Sequence, residues 1–376
     1  MTYKYHMLRT VEPAIDPANK ISFLLDWEIT LRCNLDCSYC GPEWHDNKLK
    51  HPPLEECLKT IDFMFEYVNI YMQNKPKWAR EVILNVYGGE SIFHPDIINV
   101  YEEIRKKYEK FKDEWVLTIQ TTTNLVAGKT LINKLKDLID YWTVSYHSEA
   151  SPKQKSQVRQ NILALISNKK RVKVIVLMNP TRFDDSIQMI DFCKENNIDF
   201  LPRQLDRVND THMYSPQQIN WFNDLYNKKS FNTEEVKINS NHDVNLTNVG
   251  RACCGGRQLC TDGNFKERNF FIKNNFTDWN CSVNWFFLYI RQTSREVFHN
   301  KDCRMKFDGT VGPIGTVDQA DLILENLRDM MGKDMPVITC AKKSCFCGLC
   351  APKADNRDSF DQIFKKYVSY QANASS

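Results

Sequence analysis

Apolar and polar residues follow two alternating periodicities between residues 21 and 228 of this chain. Short apolar runs rich in branched and aromatic side chains predict strands. The stretches between these runs carry apolar side chains at the i, i+3, i+4, i+7 spacing of amphipathic helices. The predicted strands cover residues 23–31, 82–87, 116–122, 141–145, 172–178 and 198–201. The predicted helices lie near residues 54–72, 96–111, 130–138, 152–168, 184–196 and 215–227.

Strands that alternate with helices of this length predict parallel pairing through right-handed crossovers. Six such units are too few for a closed eightfold barrel. The pattern therefore predicts an α/β fold built on a partial (β/α)6 TIM-like barrel, open on one side. Functional groups of such barrels gather where the strands end. This rule selects the polar residues Thr122, Thr123, Asn124, Ser145 and His147, together with the apolar Leu177 and Met178. Strand-end caps and turn formers are the alternative interpretation of the polar residues among them.

The loop after the first predicted strand contains Cys33, Cys37 and Cys40, spaced Cys-x3-Cys-x2-Cys. Three thiolates can hold three irons of a 4Fe-4S cluster, and no fourth cysteine is near in sequence. One iron would then keep an open coordination position for chemistry. The alternative is a structural Cys3His zinc site that His45 would complete.

The second predicted strand ends in Gly88, Gly89 and Glu90. Two glycines at a strand end allow a close approach of the backbone to a ligand, and the following carboxylate can receive a charged amine. Many strands end in turns, so this tripeptide alone is a weak signal. Cys57 and Cys193 lie on apolar helical stripes, and we expect both to be core residues.

Cysteine usage changes sharply after residue 250. Nine cysteines fall between residues 253 and 350, around a predicted β-hairpin at 284–290 and 297–303 and a helix near 318–331. We therefore predict a small cysteine-rich C-terminal domain containing a β-hairpin and a helix. The predicted organisation is a lead-in over residues 1–20, a barrel over 21–228, a polar linker over 229–250, this domain over 251–355 and a tail over 356–376.

Composition and charge limit the possible binding partners and the cellular compartment. The chain has 376 residues, with 50 basic and 47 acidic side chains and a net charge of +3, which gives no case for a nucleic-acid or membrane surface. No apolar run reaches the length of a membrane span, and no signal-peptide core is present, so we expect no membrane partner. Fourteen cysteines in a long chain indicate metal binding rather than a disulfide framework. We expect a reducing compartment, the cytoplasm.

The cysteine loop, with Tyr39 before its last cysteine and the strand 23–31 before its first, resembles the radical SAM superfamily. The resemblance implies a 4Fe-4S cluster whose open iron is chelated by S-adenosylmethionine (SAM). Reductive cleavage of SAM would yield a 5'-deoxyadenosyl radical that removes hydrogen from a substrate. It further implies an electron donor of the flavodoxin or ferredoxin type. By resemblance Gly88, Gly89 and Glu90 contact the amino group of SAM, the Ser145 region its ribose or carboxylate and the Leu177 region its adenine. The predicted SAM-binding set also includes Tyr39 of the cysteine loop and the strand-end residues Thr122, Asn124 and His147. The family's motif usually continues with proline after the glutamate, where this chain has Ser91.

The C-terminal cysteines resemble the SPASM or twitch extensions that bind auxiliary 4Fe-4S clusters. The resemblance is looser, because Ser294-Arg295-Glu296 stands where a glycine is usual and Cys345-x-Cys347 is a tighter spacing than usual. We predict at least one auxiliary cluster that uses Cys281 and Cys303 with two of the last four cysteines. Adjacent side chains rarely point the same way, so we expect one ligand from the Cys253-Cys254 pair and the other to be packed or free. The predicted ligands are Cys254, Cys281, Cys303, Cys340, Cys345, Cys347 and Cys350. Zinc knuckles are the alternative.

These observations support an enzyme that attacks an unreactive carbon. A peptide or protein side chain is the first substrate hypothesis, and a nucleotide or other small molecule is the second. Spacing marks no side chain as a second acid, base or radical relay. The hypothesis from another class is a non-catalytic, zinc-stabilised binding protein.

Overall fold

The computed structural model describes most of the barrel and part of the C-terminal region. Of residues 4–6 and 10–12 it describes the backbone. The described residues are 4–6, 10–12, 22–41, 44, 49–73, 75, 80–205, 214–227, 276–301, 303, 305–306, 310–331, 337–341 and 353–362.

Within these residues, parallel strands and helices alternate along the barrel. Two short strands come first, β1 (Lys4–His6) and β2 (Thr10–Glu12). The barrel strands are β3 (Phe23–Thr30), β4 (Glu81–Gly88), β5 (Val116–Thr123), β6 (Tyr141–Tyr146), β7 (Arg171–Met178) and β8 (Asp199–Gln204). The helices are α1 (Leu54–Gln73), α2 (Ile97–Tyr108), α3 (Lys129–Leu135), α4 (Pro152–Ser167), α5 (Phe183–Glu195) and α6 (Pro216–Asn227).

Each barrel strand pairs in parallel with the next, from β3 through to β8. Local sequence helps to set where the helices start. Ser151 forms a capping box with Gln154 at the start of α4, and Pro152 occupies its first turn. The expected partial barrel is therefore confirmed.

The C-terminal hairpin does not stand apart from this sheet. The later elements are β9 (Asn280–Cys281), β10 (Phe287–Arg291), β11 (Glu296–Phe298), β12 (Gly315–Thr316), helix α7 (Ala320–Met331), β13 (Ile338–Thr339) and β14 (Lys353–Ala354). Strand β10 pairs in parallel with β3, and β11 and β12 continue antiparallel from it. The six barrel strands and β10, β11 and β12 thus form one nine-stranded sheet in the order β12-β11-β10-β3-β4-β5-β6-β7-β8. The sheet crosses the predicted domain boundary, and the boundaries themselves stay a prediction.

The two faces of the barrel sheet differ in polarity. Trp27, Val86, Trp142 and Val176 point to the helices and form the main core. Side chains of the opposite parity point into the barrel, and many of them are buried and polar: Asp26, Glu28, Asn85, Gln120, Thr143 and Lys173. We call this polar interior the lumen. Buried polar side chains of this kind are more typical of a binding region than of a second apolar core.

Two other parts complete the described structure. Helix α7 packs against α1 on the outside of the barrel. Strands β1, β2, β14, β9 and β13 form a second, small sheet in that order. In the described part of the chain, no helix combines the length and the apolar character needed to cross a bilayer.

Candidate active site

The three cysteines of the first motif lie together in the loop that leaves β3. Cys37 is buried and Cys33 and Cys40 are partly buried, and the backbone N–H of Cys40 donates to the carbonyl of Cys37 at 3.0 Å. Burial raises the pKa of the Cys33 and Cys37 thiols to about 12, and the neighbouring Cys40 adds to both shifts. The loop therefore needs a bound cation to hold three thiolates at neutral pH.

The end of β4 carries this cysteine loop on its backbone. Gly89 N–H donates to the carbonyl of Thr30, and Glu90 N–H donates to that of Arg32, both at 2.8 Å. A Cβ atom on Gly89 would lie 2.5 Å from the carbonyl oxygens of Leu31 and Arg32. The sequence predicted a close backbone approach to a ligand, and the described structure shows the approach of the cysteine loop itself. The glycines are required to position the thiols.

Glu90 fastens the ends of β4 and β5 together. Its carboxylate accepts the Thr123 hydroxyl at 2.6 Å and the backbone N–H groups of Asn124 at 2.5 Å and Ile92 at 3.2 Å. The side chain is fully enclosed, and burial raises its pKa to about 7 against the lowering effect of these donors. Three donors leave one lone pair of the carboxylate for a further donor such as an amine.

Asn124 and Asn34 join the cysteine loop to the end of β5. The Asn124 amide donates to Asn34 Oδ1 at 2.7 Å and lies 3.7 Å from Cys33 Sγ, and Asn34 donates to the Val126 carbonyl at 2.8 Å. The backbone N–H of Leu35 also donates to Cys33 Sγ, at 3.4 Å. The sequence selected Asn124 for SAM. Its side chain braces the thiol loop, and Asn34 was not foreseen as its partner.

The other predicted strand-end residues divide between the lumen and the cysteine loop. Thr122 donates to Asn85 Oδ1 at 3.1 Å inside the lumen, and Asn85 donates to Asp26 at 2.8 Å. Ser145 and Leu177 are partly buried on strands β6 and β7, at positions of the same parity as the lumen residues of their strands. The predicted SAM-binding residues therefore do not form a single group. Glu90 and Asn124 contact the cysteine loop, whereas Thr122 lies in the lumen.

His147 turns toward the cysteines. Its ring stacks on Tyr39 with the ring planes 3° apart, and its Nδ1 lies 2.8 Å from the Tyr39 hydroxyl and 3.3 Å from Cys37 Sγ. Burial lowers the pKa of His147 to about 4, so the imidazole is neutral at physiological pH.

Glu149 contacts the cysteine loop, which the sequence did not indicate. Its carboxylate accepts the backbone N–H of Ser38 at 2.7 Å and the Ser38 hydroxyl at 2.6 Å, and it also accepts the Asn179 amide at 2.7 Å. It therefore ties the cysteine loop to the ends of β6 and β7. Its two-residue distance from His147 was the available signal.

A second unforeseen group comes from the added strand β10. Glu28 is fully buried on β3, and its Oε2 accepts the Tyr289 hydroxyl at 2.7 Å. Arg291 at the end of β10 lies with Nε 3.2 Å from Glu28 Oε1, and its side chain is 31% exposed. The C-terminal region thus adds a cation and a phenol to the lumen wall.

Three of the later cysteines converge on one small cavity. Cys281, Cys303 and Cys340 line it with Met305 and the buried Lys353, and its remaining wall is apolar: Phe276, Trp279, Val283 and Ile338. Strand pairing places Cys281 opposite Ile338 and Lys353. The other predicted ligands, Cys254, Cys345, Cys347 and Cys350, lie outside the described residues, as does His45.

The donor set of the first site fits an iron–sulfur cluster. Thiolates are the usual ligands of such clusters, and N–H donors to the ligand sulfurs are part of their environment. Cys33 has the Leu35 N–H and the Asn124 amide in these roles. Within the described ranges, no three His, Cys, Asp or Glu side chains form a group sized for a single metal ion.

Fold and site together define an α/β-barrel enzyme that presents a three-cysteine loop at the C-terminal ends of its strands. Residues 27–199 match the sequence profile of the Radical SAM superfamily. The matched segment, 173 of the 376 residues, is similar to the radical SAM superfamily, and the comparisons with known proteins indicate an enzyme.

Two curated relatives are similar over part of the chain. Each is a probable GTP 3',8-cyclase, one from Methanocaldococcus jannaschii and one from Methanococcus aeolicus. They are 32% identical over 110 and 112 residues, which is 29% of this chain in both cases. The matched segments span 30% and 31% of these relatives.

Solved structures of native anSMEcpe are similar over nearly the whole chain. The form with bound AdoMet has 12% sequence identity and a TM-score of 0.51, and the match covers 92% of this chain and 96% of that one. The form with bound AdoMet and Kp18Cys peptide gives the same values. At this identity the similarity shows the fold alone.

Proposed function

We propose that this enzyme reductively cleaves SAM and uses the resulting 5'-deoxyadenosyl radical to abstract hydrogen from a substrate held in the lumen. The observation that carries the proposal is the attachment of the Cys33–Cys40 loop to the Gly88-Gly89-Glu90 strand end through paired backbone hydrogen bonds. A zinc-stabilised binding module has no need for a glycine-lined strand end or a polar lumen beside its thiols.

Cys33, Cys37 and Cys40 would hold the cluster, which when bound supplies an open iron for SAM and the electron that cleaves it. The chain's own part is placement. The glycines fix the loop backbone, and Glu90 keeps one lone pair for the amino group of SAM. Ser145 and Leu177 lie on β6 and β7, where they would line the ribose and adenine side of the same edge.

The polar side chains of the lumen favour a polar substrate. Asn85, Gln120, Thr122 and Thr143 form hydrogen-bonded chains across its wall, and Arg291 adds a partly exposed guanidinium near the strand ends. Such a wall positions a substrate through hydrogen bonds rather than through apolar contact alone.

A peptide or protein side chain is our first substrate proposal. It is supported by a fold shared over 92% of this chain with a protein whose solved forms include bound peptides. The second proposal is a nucleotide. It is supported by the 32% identity to two probable GTP 3',8-cyclases, although over a shorter segment.

We also propose at least one auxiliary 4Fe-4S cluster in the C-terminal region. Its support is the convergence of Cys281, Cys303 and Cys340 on one cavity with largely apolar walls. Zinc at this place is the competing proposal. Redox-active clusters require a reducing setting, so we propose a cytoplasmic enzyme served by a flavodoxin- or ferredoxin-type donor.

The central proposal is tested by anaerobic reconstitution with iron and sulfide. We expect a brown protein with iron and sulfide in equal amounts, which releases 5'-deoxyadenosine from SAM after reduction. Cys33→Ala should abolish this product, and Cys193→Ala, which removes a buried core thiol, should leave it intact. Colourless protein with stoichiometric zinc and no SAM cleavage would establish the binding-protein alternative.

The substrate proposals are separated by deuterium transfer. Perdeuterated peptides and deuterated nucleotides are incubated with the reduced enzyme and SAM, and 5'-deoxyadenosine is analysed by mass spectrometry. Deuterium from a peptide alone supports the first proposal, and deuterium from a nucleotide alone supports the second.

A further inference from the structure

One of the three cysteine ligands has side-chain donors gathered around its sulfur. Nδ1 of His147 lies 3.3 Å from Cys37 Sγ, and the Tyr39 hydroxyl also hydrogen-bonds this sulfur while lying 2.8 Å from the same nitrogen. Cys37 Sγ, the phenol oxygen and the imidazole nitrogen thus form a triangle. We call it the Cys37 triangle.

The triangle is held in place by separate elements. Tyr39 belongs to the cysteine loop, and His147 follows β6 on the other side of the barrel mouth. Parallel stacking of the two rings fixes the imidazole edge toward the sulfur. A neutral imidazole carries a proton on one ring nitrogen and a lone pair on the other.

The charge of the sulfur decides which way the hydrogen bonds run. A thiolate that ligates iron can only accept, so the phenol O–H would donate to the sulfur and an Nδ1–H imidazole tautomer would share its proton between the sulfur and the phenol oxygen. Hydrogen bonds to a charged acceptor are about twice as strong as neutral ones. They spread negative charge away from the sulfur, and hydrogen bonds to cluster sulfurs are one of the determinants of cluster potential.

We propose that Tyr39 and His147 are positioning residues that donate hydrogen bonds to Cys37 and thereby raise the reduction potential of the cluster held by Cys33, Cys37 and Cys40. The inference rests on the proposed function, because it needs that cluster. The Glu149 carboxylate, which accepts the backbone N–H and the hydroxyl of Ser38 next to Cys37, works in the other direction because it brings a negative charge near the sulfur. The triangle therefore offsets a nearby negative charge.

The test is a redox titration of the reconstituted protein, without SAM, followed by the EPR signal that Cys33→Ala lacks and that therefore belongs to the cluster at the first site. Dithionite supplies the single electron that each cluster takes up. Tyr39→Phe and His147→Leu should each lower the midpoint potential, so that at a fixed potential the ratio of reduced to oxidised cluster falls roughly tenfold. His147→Gln keeps an N–H donor, so its midpoint potential should lie close to that of the wild type.

Tyr108→Phe is the matched control, because its hydroxyl binds the Trp115 carbonyl away from the thiols. Its midpoint should equal that of the wild type. Equal midpoints for Tyr39→Phe, His147→Leu and the wild type, at full iron content, would overturn the inference while leaving the proposed function intact. A wild-type protein that takes up no cluster would instead refute the proposed function.

A second measurement needs no variant. In protein labelled with ¹⁵N-histidine, pulsed EPR of the reduced cluster should show a coupled histidine nitrogen and exchangeable protons near the cluster. This measurement tests the hydrogen bonds to Cys37 in the wild type, even if a variant fails to assemble its cluster. Absence of both couplings in the loaded wild type would contradict the proposal.

Discussion

Cys37 Sγ and His147 Nδ1 lie 3.3 Å apart although 110 residues separate them in the chain. One belongs to the loop after β3 and the other to the loop after β6. Parallel strands deliver both loops to the same edge of the sheet, which is why distant residues meet there. The thiol loop is accordingly fixed by several loops at once, through Glu90, Asn124, His147 and Glu149.

The close approach at Gly89 predicts a sharp intolerance of side chains. In Gly89→Ala the new methyl group would meet three backbone carbonyls, including that of Trp44 at 2.6 Å, and backbone cannot move aside cheaply. We expect the free energy of unfolding to fall by about 2 kcal/mol and the iron content after reconstitution to fall with it. Urea denaturation and iron analysis measure both.

Gly128→Ala is the control, because nothing lies within 4 Å of a Cβ atom at that position. Its effect should stay within about 0.5 kcal/mol. If Gly89→Ala matched this control in both measurements, the glycine would not be what positions the thiol loop.

Glu90 predicts an unusual pH dependence of stability. Burial raises its pKa from 4.5 to about 7, so between these values folded protein holds a proton that the unfolded chain has lost. Raising the pH through this window should therefore lower the free energy of unfolding, by about 3 kcal/mol in total. Denaturation of the cluster-free wild type and of Glu90→Gln at a series of pH values isolates the effect.

The variant lacks the titrating group, so its stability relative to the wild type should improve as the pH rises from 4.5 to 7. Parallel stability curves for Glu90→Gln and the wild type would contradict the assigned burial effect.

From the hydrogen bonds of Glu149 to Ser38 and Asn179 we predict that Glu149→Gln speeds the loss of iron from the cysteine loop. Glu149→Gln places an amide among three donors, from Ser38 and Asn179, and one of these contacts becomes repulsive. We expect iron release to a chelator about fivefold faster, since the net contribution of one intramolecular hydrogen bond is about 0.5–1.5 kcal/mol. Glu55→Gln, on the exposed surface of α1, should release iron at the wild-type rate.

From the Glu28–Arg291 ion pair we predict that Arg291→Met lowers the free energy of unfolding and that adding Glu28→Gln reverses much of the loss. Arg291→Met would leave a fully buried carboxylate without its cation, and we expect a loss of about 2 kcal/mol at pH 8. Adding Glu28→Gln should recover much of it, because the buried charge is then gone. Urea denaturation of the single and double variants gives the coupling energy.

Lys112→Met breaks an exposed pair with Glu109 and should cost less than about 0.5 kcal/mol. An Arg291→Met variant as stable as this control would show that the lumen pair carries no net interaction.

Periodicity was sufficient for the barrel because each strand and helix is specified locally. The strand predicted at 23–31 is Phe23–Thr30 in the structure, and the helix predicted near 130–138 ends at Leu135. The three cysteines were identifiable because their spacing falls within a single loop.

The rest depended on contacts between distant residues. Strand β10 pairs with β3, and Trp27 donates to the Gln292 side chain across 265 positions, a pairing that no local pattern specifies. For the same reason Arg291 was not assigned to the lumen. Glu149 sits in a loop without periodicity, and its role follows only from the meeting of three strand ends.

The place of β10 beside β3 has a consequence for biosynthesis. Strand β3 is made early, yet the partner on its outer side is completed only at Arg291. Until the ribosome has released that segment, the nascent barrel presents an unpaired strand edge, the kind of surface that invites association with other chains. Truncation upstream of residue 287 should therefore yield aggregates rather than a smaller soluble barrel.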